Sequence, residues 1–133
     1  MGFIAGIRVR ELNESDCLVT VPYNYINKNP FNSMYFAVQA MAAELSTGCL
    51  VLLHTEGRNI STLVTCLDSK YYKKASSIVK FTCLDGDNIS KEILKLSKHN
   101  VYGSCVLNAK GYDIYGDCVS EFNIMWSFKK RLN

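Results

Sequence analysis

The sequence predicts a single α+β domain in which an antiparallel sheet of about five or six strands wraps one long helix. Three features carry this expectation. Only one long run, Asn29 to Gly48, reads as a helix; several flanking runs alternate apolar and polar residues as strands do. The third feature is size: 133 residues with 48% hydrophobic content can build one sizeable core and not two.

Residues 3 to 12 alternate, with Phe3, Ala5, Ile7 and Val9 facing one way and Arg8 and Arg10 the other. Asn13-Glu14-Ser15-Asp16 reads as a turn, and Cys17, Val19 and Val21 resume the alternation up to Pro22, which makes an antiparallel hairpin. Tyr23 to Lys28 links it to the helix. Beyond Gly48, the run CLVLLHT is apolar without alternation. It is expected to be a covered strand, with an extension of the helix as the alternative. Residues 60 to 68 and 78 to 84 are rich in β-branched types and predict two further strands. Between strands, Asp85-Gly86-Asp87 turns the chain, and Asp87 is expected to cap a short helix with Ile89, Ile93 and Leu96 on one face and Lys91, Lys95 and Lys98 on the other. Two long strands close the domain, 101 to 110 and 113 to 128, joined at Lys110-Gly111, with Phe122, Ile124, Trp126 and Phe128 inward. The tail Lys129-Lys130-Arg131 reads as loose.

The central helix is apolar around almost its whole circumference, so it is expected to be wrapped on all sides. Met34, Val38, Met41 and Leu45 form one ridge, and Ala37, Ala40, Ala43, Glu44, Thr47 and Gly48 a neighbouring arc of small side chains. Asn29-Pro30, or alternatively Asn32-Ser33, suits its N-terminus, and Gly48 its C-terminus. Glu44 is the sole ionisable group between Ser33 and Gly48. A carboxylate there needs a partner, water or a ligand, which makes it a candidate site residue. The plainer alternative is a carboxylate emerging at a solvated helix end.

Composition excludes several functions. A net charge of +3 is too mild for a nucleic-acid surface, though it suits a small phosphorylated ligand. Six cysteines never come closer than 13 residues apart, and only two histidines, His54 and His99, are available. No metal site is therefore expected, and the thiols read as buried and free in a reducing cytoplasm. The N-terminus makes a poor signal peptide, and no segment holds 18 uninterrupted apolar residues, so neither secretion nor a membrane partner is expected. Lys70-Tyr71-Tyr72-Lys73-Lys74 mixes cations with rings able to stack on a base. Lys73 and Lys74 are thus candidate phosphate ligands.

The stretch NPFNSMYFAVQAMAAELSTG resembles the loop and helix of hotdog acyl-CoA thioesterases, and the closing VSEFNIMWSFKK is similar to that family's last strand. The resemblance implies a hotdog fold over nearly the whole chain, with no cofactor. It implies acyl-CoA as substrate and a homodimer, or a dimer of dimers, with its site between subunits. Asn29 takes the place of the family's loop asparagine, and Glu44 that of its catalytic carboxylate, acting as general base or nucleophile. Asn32, Ser33, Met34 and Tyr35 fall where the thioester meets the start of the helix. Asn32 stands where the family often has glycine, Tyr35 where many members have histidine, and Phe36-Ala37 where many have two glycines. These departures leave a second reading, a non-catalytic acyl-CoA or lipid binder in the same groove. A hydratase of the same fold would need His54 paired with an aspartate, and none is close in sequence.

Overall fold

The computed structural model describes residues 5–132 of the chain. Six strands form one antiparallel sheet: β1 (Arg8–Leu12), β2 (Cys17–Val21), β3 (Ile60–Tyr71), β4 (Val79–Cys83), β5 (Tyr102–Tyr112) and β6 (Cys118–Lys130), in the spatial order β1-β2-β4-β5-β6-β3. A long helix, α1 (Phe36–Thr55), lies against β2, β4 and β5, and a short one, α2 (Gly86–Leu94), packs on α1 and β5. Alternation places Val19 and Val21, Phe81, Leu107, and Phe122, Ile124 and Phe128 on the covered face, all fully buried together with Leu50 of α1.

The hairpin β1–β2 forms as expected, held at its tip by Asn13, whose Oδ1 accepts hydrogen bonds from the amides of Ser15 and Asp16. Of the predicted inward residues of the first strand, Ala5 and Ile7 are buried while Val9, in the edge strand β1, is exposed; beyond it the register shifts between Val9 and Glu11. Phe3 lies outside the described residues. Both final strands form, but β5 ends two residues later than predicted, and β6 starts five residues later and ends two later. They are joined not at Lys110-Gly111 but by a turn over Asp113–Asp117, where Asp113 Oδ1 accepts from the Tyr115 and Asp117 amides. Gly111 lies inside β5, where an added Cβ would stand 2.6 Å from the Phe81 ring. Lys129 and Lys130 are not loose: they pair with Ser61 and Ile60 of β3.

The helix begins seven residues later than Asn29 and runs on through the segment expected to be a strand. Asn29 cannot start it because its side chain closes a loop instead. Its Oδ1 accepts from the amides of Phe31 (2.9 Å) and Ser33 (3.2 Å), and Asn32 adopts φ +60°. The next residues are tied elsewhere: the Met34 amide donates to the Ala75 carbonyl and that of Tyr35 to the Asn27 carbonyl. Tyr35 then occupies the N-cap without a side-chain cap bond. Gly48 is not a terminator but a contact. Its Cα faces the Trp126 ring, which an added Cβ would meet at 3.5 Å. The short helix is likewise entered through Asp85 rather than Asp87, with Gly86 as its first residue.

The helix is also not wrapped all round. Its buried residues are Gln39, Ala42, Ala43, Ser46, Thr47, Leu50, Val51 and Thr55, whereas Phe36, Leu45, Leu52 and Leu53 are exposed. The buried hydroxyls are tolerated because each finds an acceptor on its own helix: Ser46 donates to the Ala43 carbonyl, Thr47 to that of Glu44 and Thr55 to that of Val51. Thr47 Oγ1 also accepts a 3.0 Å hydrogen bond from the Trp126 indole, fixing the helix to β6. By length and composition α1 is apolar enough to cross a membrane, with a mean hydropathy of 1.6 over its best 18-residue window. Strand β3 forms one edge of the sheet, paired on one side with β6 and exposing Leu63 and Leu67.

All six thiols are free. Cys17 and Cys83 are buried as expected, but Cys66 is exposed on β3 and the other three are half-buried. Burial pushes the Cys83 thiol up to about 12 and that of Cys105 to about 11.

Candidate functional site

The loop before α1 and the segment after β3 enclose a cleft of about 380 Å³, lined by Asn29, Phe31, Ser33, Phe36, Gln39 and residues 71–75. The loop of Asn29 forms its rim, stiffened by a 3.1 Å hydrogen bond from Asn29 Nδ2 to Ser33 Oγ. One wall is aromatic. Phe36 stacks on Tyr71 with ring centroids 4.1 Å apart, and Tyr71 meets Phe122 edge-on at 5.8 Å. Within the cleft, Gln39 is 2% exposed, its Nε2 reaching the Met34 carbonyl at 3.5 Å while its Oε1 has no partner among the described residues.

The two candidate lysines differ. Lys73 Nζ is 2.7 Å from both Asp113 and Asp117 and lies over the Tyr115 ring. Asp113, then Asp117, pushes this ammonium well above its usual value, and Lys73 in turn holds the Asp113 carboxyl below the usual carboxylate range. Lys74 Nζ donates to the Phe31 carbonyl at 3.2 Å and stands at the rim without a carboxylate salt bridge among the described residues. Next to them Tyr72 donates to Glu121, and that bond, with a second from Asn108, keeps the Glu121 carboxyl low.

Of the residues singled out from the sequence, the structure thus gathers Asn29, Ser33, Lys73 and Lys74 about one cleft. Asn32 and Tyr35 are exposed beside it, and Met34 is fully buried beneath it. Glu44 stands apart, exposed two turns along α1, on the flank that also carries Ala37, Ala40 and Gly48. Of the small-residue arc, Ala37 and Glu44 are exposed while Ala43 and Thr47 are buried, and Glu44 has no ion-pair partner among the described residues. His54 is in the last turn of α1, 2.8 Å from the Glu14 carbonyl, so it anchors the helix end to the hairpin tip. Among the described residues no three metal-ligating side chains come together. Sequence reasoning missed Gln39 and Phe31. The signal for Gln39 was present: apart from Tyr35, it is the one polar side chain between Ser33 and Glu44.

No protein-family profile and no curated protein matches the sequence. Solved structures do. A probable thioesterase of unknown function from Pseudomonas aeruginosa, PA5026, superposes with a TM-score of 0.87 at 19% identity, over 98% of this chain and 89% of that one. This is the hotdog fold. The thioesterase HI1161 from Haemophilus influenzae gives a TM-score of 0.74 at 13% identity, over 99% of this chain and 84% of that one. A putative thioesterase from Shewanella oneidensis gives 0.75 at 10%, over 98% and 87%. At these identities the likeness is one of fold, and within the hotdog frame α1 is the central helix and β3 a sheet edge.

Proposed function

We propose that this hotdog protein hydrolyses an acyl-CoA thioester to the free acid and coenzyme A, working as a homodimer. The observation that carries this reading is the placement of Glu44. It is the sole carboxylate on α1, exposed on an otherwise apolar helix surface. Pairing two β3 edges continues the sheet and brings a second subunit over the outward leucines of the helix, so that the site is completed between copies. A dimer of dimers is the next level of such assembly. In this arrangement Glu44 takes the proton of a water whose oxygen attacks the thioester carbonyl carbon. The first amides of α1, which lack intrahelical acceptors, hold the carbonyl oxygen, and the carbon–sulfur bond breaks to release the thiol. The alternative role for Glu44 is direct attack on that carbon as a nucleophile. Asn29 shapes the loop that presents these amides. Lys74, rather than the doubly paired Lys73, is assigned to the phosphates of coenzyme A.

One feature favours the second reading, a binder that performs no chemistry. Phe36 sits at the first position of α1 and stacks on Tyr71, which crowds the approach to the helix amides. Glu44→Gln separates the two. It preserves shape and lies at an exposed position, so the fold and ester binding should be retained. Thiol release from acyl-CoA esters of graded length should fall by about 10² to 10⁴ if Glu44 is the base. Equal and negligible thiol release by wild type and variant, with esters still bound, identifies a binder.

A further inference from the structure

Gln39 is an amide side chain sealed from solvent at 2% exposure, yet its carbonyl oxygen finds no hydrogen-bond donor among the described residues. Its Nε2 is turned to the Met34 carbonyl, which directs Oε1 away from that partner, and the residue lines the aromatic cleft. A buried carbonyl oxygen without a donor is costly, and such groups normally find a partner in water or ligand. A second orphan lies nearby in the sheet. Ser120, fully buried with Oγ unpartnered among the described residues, is the cross-strand neighbour of Tyr71, a wall of the cleft, and lies behind that wall rather than in the lining. The cleft thus holds one buried acceptor, Gln39 Oε1, behind aromatic walls, and a plain hydrocarbon entering it would leave that oxygen unpaired.

Resting on the thioester reading above, we propose that Gln39 determines specificity, its Oε1 accepting a hydrogen bond from a hydroxyl on the acyl group, so that the cleft takes hydroxylated acyl groups in preference to their deoxy counterparts. The orientation follows from the rim. The phosphorylated end of coenzyme A stays outside with Lys74, and a cleft of about 380 Å³ is filled by the acyl group alone, so the acyl group is what reaches Gln39. A site built around such an acceptor discriminates strongly, because the analogue lacking the hydroxyl leaves the acceptor buried and unpaired.

The test uses two pairs of acyl-CoA esters, one aromatic and one aliphatic, each differing by a single hydroxyl. Wild type is expected to favour the hydroxylated member of at least one pair by about ten-fold or more in kcat/KM, or in Kd if the ester is not turned over. Gln39→Leu, which keeps volume and removes the acceptor, should bring that ratio to within about three-fold. Equal treatment of both members by wild type overturns the proposal, as does a preference that persists in Gln39→Leu; either result leaves a resident water as the partner of Oε1. Where no CoA ester binds wild type at all, the thioester reading itself fails. The same pairs are then titrated as free carboxylic acids, with the side-chain amide resonances of Gln39 as readout. Shifts confined to the hydroxylated acids sustain the role of Gln39, and shifts common to both or absent overturn it.

Discussion

Replacing Thr47 with valine should loosen the helix from the sheet by a predictable amount. Thr47 is fully buried, donates to the Glu44 carbonyl at 2.8 Å and accepts from the Trp126 indole at 3.0 Å. Valine keeps the branched shape, so little cavity forms, but the indole N–H loses its acceptor while 9% exposed. A buried orphan donor costs about 1–3 kcal/mol. The added methyl returns up to about 0.8 kcal/mol. The expected loss is therefore about 1–2 kcal/mol, or roughly 3–10 °C in Tm for a domain of this size. Trp126 is the one tryptophan in the chain, so urea unfolding followed by its fluorescence reports from the contact itself. A double-mutant cycle with Trp126→Phe, read by circular dichroism, should give a coupling energy of at least about 0.5 kcal/mol. If Thr47→Val unfolds within about 0.3 kcal/mol of wild type, or the coupling vanishes, this hydrogen bond does not hold α1 and β6 together.

Three further outcomes are expected. Gly86→Ala should destabilise the fold by about 1–3 kcal/mol, since the new Cβ would run into the backbone carbonyl of Glu14 and lie 2.7 Å from Ser15 Cα, and backbone cannot swing aside; an unchanged urea midpoint would count against this packing. Asp113 and Glu121 have carboxyls held below their ordinary values by Lys73 and by Tyr72 with Asn108. Their stabilisation is complete above the ordinary carboxylate pKa of about 4 and is lost as pH falls through the lower folded values, so Asp113→Asn should flatten the acid limb of a stability-versus-pH curve. Light scattering at micromolar concentration should find a dimer, and Leu63→Glu on β3 should yield monomers with an unchanged far-UV spectrum, Leu63 being 65% exposed in the single chain. A wild-type monomer would remove the basis for a site between subunits.

Strands could be recognised from sequence where alternation met a fully covered face, as in Phe122, Ile124, Trp126 and Phe128. Helix boundaries could not, and the reason is local. Asn29-Pro30 has the chemistry of a helix start, but the Asn29 side chain can equally close a loop, and what decides is the docking of Met34 on Ala75 and Tyr35 on Asn27. CLVLLHT satisfies the composition of a covered strand and of a helix alike; the contact of Gly48 with Trp126, distant in sequence, gives that glycine a packing role rather than a capping one. The cleft was half visible. Lysines and Asn29 attract attention by type, whereas Gln39 acquires meaning only once its burial and its unpaired oxygen are known.

The face that α1 turns inward carries glutamine, serine and two threonines among its alanines, Leu50 and Val51, while three leucines, Leu45, Leu52 and Leu53, are turned outward. A protein engineer who applied the usual pattern of apolar residues inside and polar residues outside would find no clear inward face on this helix, and could mutate the wrong side when trying to strengthen the core. Swapping Ser46 or Thr55 for a larger aliphatic would press bulk into a packed face and remove a hydroxyl already bonded to its own helix, while adding charge at Leu45 or Leu52, the customary route to better solubility, would strike the surface on which the proposed assembly depends.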